Sequence, residues 1–193
     1  MRLLRTLAAV SVCLAFAIST AAAAPIPYRL DTERSKVGFH VRFGPDKITG
    51  EIPVQSADIQ IDFQNPANNR VEVILDSTRA QASFPFATQA MRGPKVLDAD
   101  QFPTMIFRST GVRLRSRESA EVAGMLTLRG QTHPVTLRAQ LFRQRGTEPG
   151  DLSRLLLRVT GRIKRSTWGA TGWMDMVSDE IDLDMIIRIE RAP

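Results

Sequence analysis

The chain has 193 residues, one cysteine and 26 Lys/Arg against 20 Asp/Glu, a formal net charge of +6 at pH 7. That length suits one domain, and a single cysteine excludes an internal disulfide framework. Beyond the N-terminus no apolar run approaches the roughly 20 residues of a membrane-spanning helix.

The chain opens with Arg2 and Arg5, a mostly apolar run from Leu7 to Ile18, and the small residues Ala21 to Ala24. That order predicts a cleavable export signal, too short and wrongly flanked for a membrane span. Cleavage is expected after Ala22 or Ala23, giving residues 1–23 as signal peptide and 24–193 as one domain, delivered to the periplasm. Val12 stands before Cys13 where a lipoprotein signal needs a small residue, which argues against lipidation. The remaining chain then has no cysteine, and its stability rests on its apolar core.

From residue 27 onward the pattern is strict alternation. Strands are predicted near 27–33, 35–43, 47–62, 70–79, 103–115, 119–129, 134–145, 153–167 and 180–191. In the second of these, Val37, Phe39, Val41 and Phe43 share one face, and Lys36, His40 and Arg42 share the other. A one-residue slip would bury the charges, so the register is well specified. Val71, Val73 and Leu75 repeat the pattern, as do Leu155, Leu157, Val159 and Ile163, and Ile181, Leu183, Met185, Ile187 and Ile189. The stretch LTLRGQTHPVTL, Leu126 to Leu137, reads as two half-buried strands meeting at a turn over Gly130 to Pro134. Other turns are signalled by Gly44-Pro45-Asp46, Asn65 to Asn69 and Gly146 to Gly150. A helix is predicted only around Phe86 to Leu97, interrupted by Gly93-Pro94, with a further turn near Trp173. One apolar and one polar face per strand defines an all-β, antiparallel fold. Closure into a barrel hides the strand edges, and about eight strands leave room for one small apolar ligand. A two-sheet sandwich satisfies the same periodicity.

Catalytic signals are sparse. There is no G-x-S-x-G elbow, no HExxH and no glycine-rich phosphate loop. His40 lies on a polar strand face and His133 in a turn, and both read as solvated. Two histidines over 90 residues apart make a poor zinc signal. The acids Asp175, Asp179, Glu180, Asp182 and Asp184 do not have the spacing of an EF-hand and read as a solvated edge. No catalytic residue, metal or cofactor is therefore predicted. Between Arg108 and Arg165, 13 Lys/Arg face 4 acids. This reads as an outer face of long arginines; attraction to an anionic membrane surface is the sharper alternative. Nucleic acid is disfavoured because few aromatics interleave with the arginines. Phe84 and Phe86 flank Pro85, and Trp168 and Trp173 bracket a glycine-containing connection. Packing beneath a loop accounts for such residues; lining the mouth of a barrel is the functional alternative.

Four segments together resemble the YceI-like family. They are the LTLRGQTHPVTL hairpin, Phe102 to Thr110 (FPTMIFRST), the opening Tyr28-Arg29-Leu30-Asp31 with Ser35 to Phe39, and Arg165 to Gly169 followed by Val177 to Ile181. They fall in the family's order across nearly the whole domain. Two segments depart: the turn Phe43-Gly44-Pro45-Asp46 is short, and Thr88 to Gly93 replaces a polar motif before the helix. The resemblance implies an extended, lipocalin-like, eight-stranded antiparallel barrel with one short helical segment and an elongated apolar cavity. It also implies binding of a long isoprenoid chain, as in a polyprenyl lipid or quinone, without catalysis. On this reading Val37, Phe39, Val41, Phe43, Phe107 and Leu126 line the cavity, and Phe84, Phe86, Trp168 and Trp173 its mouth. The expected function is a periplasmic carrier or store for such a lipid. The alternatives are a lipid-modifying enzyme using His40 or His133, and a basic module docked on membranes. A homodimer is left open.

Overall fold

Alternation turns into eight antiparallel staves, each paired with the next along the chain. The computed structural model describes residues 24–142, 148 and 150–193, so the expected signal peptide lies outside the described residues. β1 (Ile26–Leu30) and β2 (Lys36–Phe43) form one interrupted stave, and β3 (Asp46–Glu51) and β4 (Val54–Ile61) the second. β5 (Arg70–Asp76) is the third, and the two-residue β6 (Gln81–Ala82) sits beside β3. After the helix α1 (Pro85–Arg92) come β7 (Thr104–Leu114), β8 (Ser119–Leu128), β9 (Gln131–Phe142), β10 (Arg154–Lys164) and β11 (Val177–Arg191). β11 returns to both halves of the first stave, with Tyr28 opposite Arg191 and Val41 opposite Ile181. The barrel is closed, so the main sheet has no lateral edge to protect.

The interruptions decide which side chains face inward. Five residues separate Leu30 from Lys36, but only two separate their partners Ile189 and Ile186. The Ser35 hydroxyl closes the irregularity, accepting from Arg188 N at 2.9 Å and donating to Arg188 O at 3.3 Å. Inward positions thereby change from even (Tyr28, Leu30) to odd (Val37 to Phe43). Pro53 breaks the predicted strand 47–62 into β3 and β4, since it cannot donate to a ladder; its carbonyl accepts from Asp76 N at 2.9 Å. On β7 a bulge between Ser109 and Gly111 passes the inward face from Met105 and Phe107 to Val112 and Leu114. The Ser109 hydroxyl there accepts from Val71 N at 2.9 Å.

The β8–β9 turn is tighter than the sequence suggests. It consists of Arg129 and Gly130 alone, with φ of +48° and +70°, the left-handed pair of a two-residue hairpin. Gln131 to Pro134, expected in the turn, are already strand. Pro134 is tolerated because ladder alternation from the turn aims its nitrogen away from β8. On that other side β10 pairs with β9 only from Arg138 onward.

α1 begins with Pro85, whose fixed φ suits a first helical turn, and ends before Gly93-Pro94. The predicted helix through Leu97 therefore stops at Arg92. Val96 and Leu97 fold back over the barrel end, where Ala80, Leu97, Met105, Leu128 and Trp168 form one buried cluster. Ala87 seats α1 on Val41 and Ile48. Towards the opposite end Tyr28, Ile59, Leu155 and Ile189 pack together, and Tyr28 donates its hydroxyl proton to Leu152 O at 2.7 Å.

Outside, the arginines meet acids on neighbouring strands. Arg158 grips Asp184 through two bonds of 2.8 Å, and Arg162 holds Asp182 at 2.6 Å. Arg154 faces Glu190, Arg108 pairs twice with Glu72, and Arg115 pairs with Glu121.

Candidate ligand cavity

The inward faces of the staves surround a cavity of about 730 Å³. Its wall is built from the alternating apolar positions: Val71, Val73 and Leu75 on β5; Leu155, Leu157, Val159 and Ile163 on β10; Ile181, Leu183, Met185, Ile187 and Ile189 on β11. That volume falls within the range of about 300–1,000 Å³ for small-molecule sites. A filled barrel would show these side chains buried; most are only half-buried, because they face the cavity.

Two glycines help keep the lumen open. The Phe39 ring lies against Gly50 on β3, and the Phe107 ring against Gly124 on β8, so close that a Cβ at either glycine would collide with the ring. Each ring therefore lies along the wall instead of crossing the lumen. This is a close-approach use of glycine within a strand.

Nine of the ten candidate residues border the cavity. Val37, Phe39, Val41, Phe43, Phe107 and Leu126 are in the wall; Phe84, Phe86 and Trp173 are at the α1 end. Trp168 does not border it. The turn Arg165 to Trp168, closed by Gly169 at φ +72°, tucks the indole under the β8–β9 hairpin. There its Nε1–H donates to Leu126 O at 3.0 Å, and the ring stands edge-on to His133 with centroids 5.4 Å apart. Trp168 is packed structure closing the barrel end, as a buried indole that must satisfy its N–H requires.

Sequence reasoning missed Met91, Val96 and Leu97, which close the lumen from α1 and the segment after it. It also missed Arg165, which is buried and borders the cavity. Its guanidinium donates to Ala170 O at 2.7 Å, Val177 O at 2.9 Å and Ser178 O at 3.0 Å. Burial pushes its pKa below the usual arginine value, with Asp179 opposing that shift. Arg165 ties the connection to the start of β11, and its place in the Arg165 to Gly169 motif was the available signal. At the opposite end the cavity border becomes polar, with Asp62, Asn69, Arg117, Glu118 and Ser119. Asp62 is bound up in its own loop, accepting from Gln64 N, Asn65 N and Asn68 Nδ2 at 2.8–2.9 Å.

Neither histidine borders the cavity. His40 lies on the outer face, 3.3 Å from Asp182, and His133 stands against Trp168. Of the acids considered for calcium, Asp182 and Asp184 are held by arginines, and Asp179 accepts from Ser166. Among the described residues no three His, Cys, Asp or Glu side chains gather into a metal cluster.

A closed eight-stranded barrel around one elongated apolar lumen is a class of fold suited to holding an apolar guest. The YceI-like domain profile matches residues 28–189, and the chain belongs to the YceI-like family. A UPF0312 protein of Enterobacter sp. (strain 638) is 29% identical over 175 residues, covering 89% of each chain. Protein YceI of Salmonella arizonae is 27% identical over 175 residues, 89% of this chain and 90% of its own. The crystal structure of Burkholderia cenocepacia BcnA superposes with a TM-score of 0.72 at 19% identity, covering 82% of this chain and 98% of that one. A polyisoprenoid binding domain from Saccharophagus degradans, implicated in plant cell wall breakdown, gives a TM-score of 0.65 at 12% identity, covering 86% and 99%.

Proposed function

We propose that this protein is a periplasmic carrier or store that holds one isoprenoid-type lipid, a polyprenyl lipid or quinone, in its barrel. The observation that carries this reading is the cavity of about 730 Å³ walled almost throughout by aliphatic and aromatic side chains. Burial of apolar surface at about 25 cal/mol per Å² favours a chain-like hydrocarbon there without specific polar contacts. The polyisoprenoid-binding domain of Saccharophagus degradans, which shares the fold, supports the same choice of guest. Delivery to the periplasm rests on the leader pattern of residues 1–23.

A binding role is favoured over a lipid-modifying enzyme because neither histidine borders the lumen: His40 is on the outer face, and His133, on the inward side of β9, stands against the Trp168 ring. Docking through the basic stretch is disfavoured because seven of its 13 cations are already engaged. Arg108, Arg115, Arg154, Arg158 and Arg162 meet carboxylates, while Arg129 and Arg165 meet backbone carbonyls. The reading is tested by titrating delipidated protein with a polyprenol and with a ubiquinone in dilute detergent. One equivalent bound per chain is expected; uptake of neither would refute it.

A further inference from the structure

Four of the eight large apolar side chains left in water among the described residues gather at one end of the barrel, while Phe63, Leu114 and Phe142 lie toward the other end and Ile186 on the outer face. Phe84, Phe86, Met174 and Met176 are 37%, 68%, 47% and 49% exposed, and all belong to the α1 end of the barrel. They are neighbours by construction. The Phe43 and Phe84 rings lie 6.5 Å apart, and Gly44 N, next to Phe43, donates to Met176 O at 3.1 Å. Met176 N in turn donates to Trp173 O at 3.1 Å, closing the turn that presents Met174. Phe84, Phe86 and Met176 also border the cavity, so the exposed patch and the lumen are one continuous apolar surface.

We propose that this end is a docking surface for a lipid bilayer, through which the apolar guest passes between membrane and barrel without crossing water. The proposal rests on the carrier reading above. The patch is too small for a stable protein partner. A fully exposed side chain of this size presents about 200 Å², so the four together offer roughly 400 Å². A stable interface takes about 800 Å² from each partner, whereas patches of a few hundred Å² commonly mark functional sites. The rim is close to charge balance, with Arg42, Lys47 and Lys95 set against Asp46 and Asp175. Attraction is therefore apolar and does not require anionic lipid. Lys95 lies 5.6 Å from the centre of the Trp173 ring, a pairing of residue types suited to the headgroup layer.

Flotation with phosphatidylcholine vesicles tests this directly. The full domain floats with the vesicles, and its binding is the same at low and high salt. Phe86→Ser weakens vesicle affinity about tenfold or more, as expected for removing one phenylalanine from an apolar phase. Met174→Asp weakens it similarly, yet still takes up a short-chain ubiquinone from vesicle-free solution, read by tryptophan quenching. Met174 does not border the cavity, so that uptake also reports an intact fold. Absence of binding to phosphatidylcholine would overturn the proposal. So would binding that needs anionic lipid and disappears with salt, which would assign docking to the arginine strands. A wild-type dimer made monomeric by Met174→Asp would mean that a second copy covers the patch. Vesicle binding by a protein that takes up neither ubiquinone nor polyprenol would support docking while overturning the carrier reading.

Discussion

Phe39 shows how single residues shape the lumen. Its ring lies along the barrel wall because Gly50 offers no side chain to push it inward. In Phe39→Trp the larger indole extends into the lumen and takes space from the guest. Lipid uptake should fall, measured as bound ubiquinone per chain. Thermal unfolding should show a loss smaller than the roughly 1–3 kcal/mol of overpacking a filled core. A large stability loss with unchanged uptake would make Phe39 ordinary core. The inward set of β2 was legible because lysine, histidine and arginine occupy every alternative position but one. Trp168 was not legible in this way. It lies in a connection, where no periodicity reports direction, and its orientation follows from its N–H finding Leu126 O and from left-handed Gly169. Arg165 was hidden for a related reason: its partners are backbone carbonyls, which carry no sequence signature.

At the scale of elements, β10 and β11 make the outer face a ladder of opposed charges. Hydrogen bonding from Arg162 holds the Asp182 carboxyl below the usual carboxylate range, and Arg158 does the same for Asp184. A carboxylate depressed in the folded state contributes stability above its unfolded value near 3.9. That contribution is lost as pH falls through the depressed value. The urea midpoint should therefore hold steady above about pH 5 and fall below about pH 4. Asp184→Asn should lower the neutral-pH midpoint only slightly, because the Arg158–Asp184 pair is exposed to solvent. It should also make the acid limb shallower; an unchanged limb would mean that this pair adds nothing. The strands were readable from alternation, whereas their breaks were less so. Ser109 and Ser35 hydroxyls complete irregular ladders that a binary pattern cannot reveal. At the hairpin, Pro134 was read as turn because proline usually leaves a ladder. It remains in β9 because its nitrogen faces a stretch that β10 leaves unpaired.

Across the whole molecule, the antiparallel barrel was legible because every stave repeats one apolar and one polar face. Closure was less so, since a sandwich shares that periodicity; the meander order and the return of β11 to β1 decide for the barrel. The cavity itself could only be inferred from family resemblance, because half-burial of inward residues is a property of the assembled wall. Its polar border at the end away from α1 comes from loop residues that no strand pattern marks. The central claim is that this lumen is occupied by an apolar guest in the cell. Native mass spectrometry of the protein, produced in a bacterium from the full 193-residue sequence and purified without detergent, tests this most directly. The account predicts a mass increment of one molecule per chain, released by organic solvent and identified as an isoprenoid lipid or quinone. Bare protein mass, from a chain that also takes up no such lipid when offered it, would contradict the account.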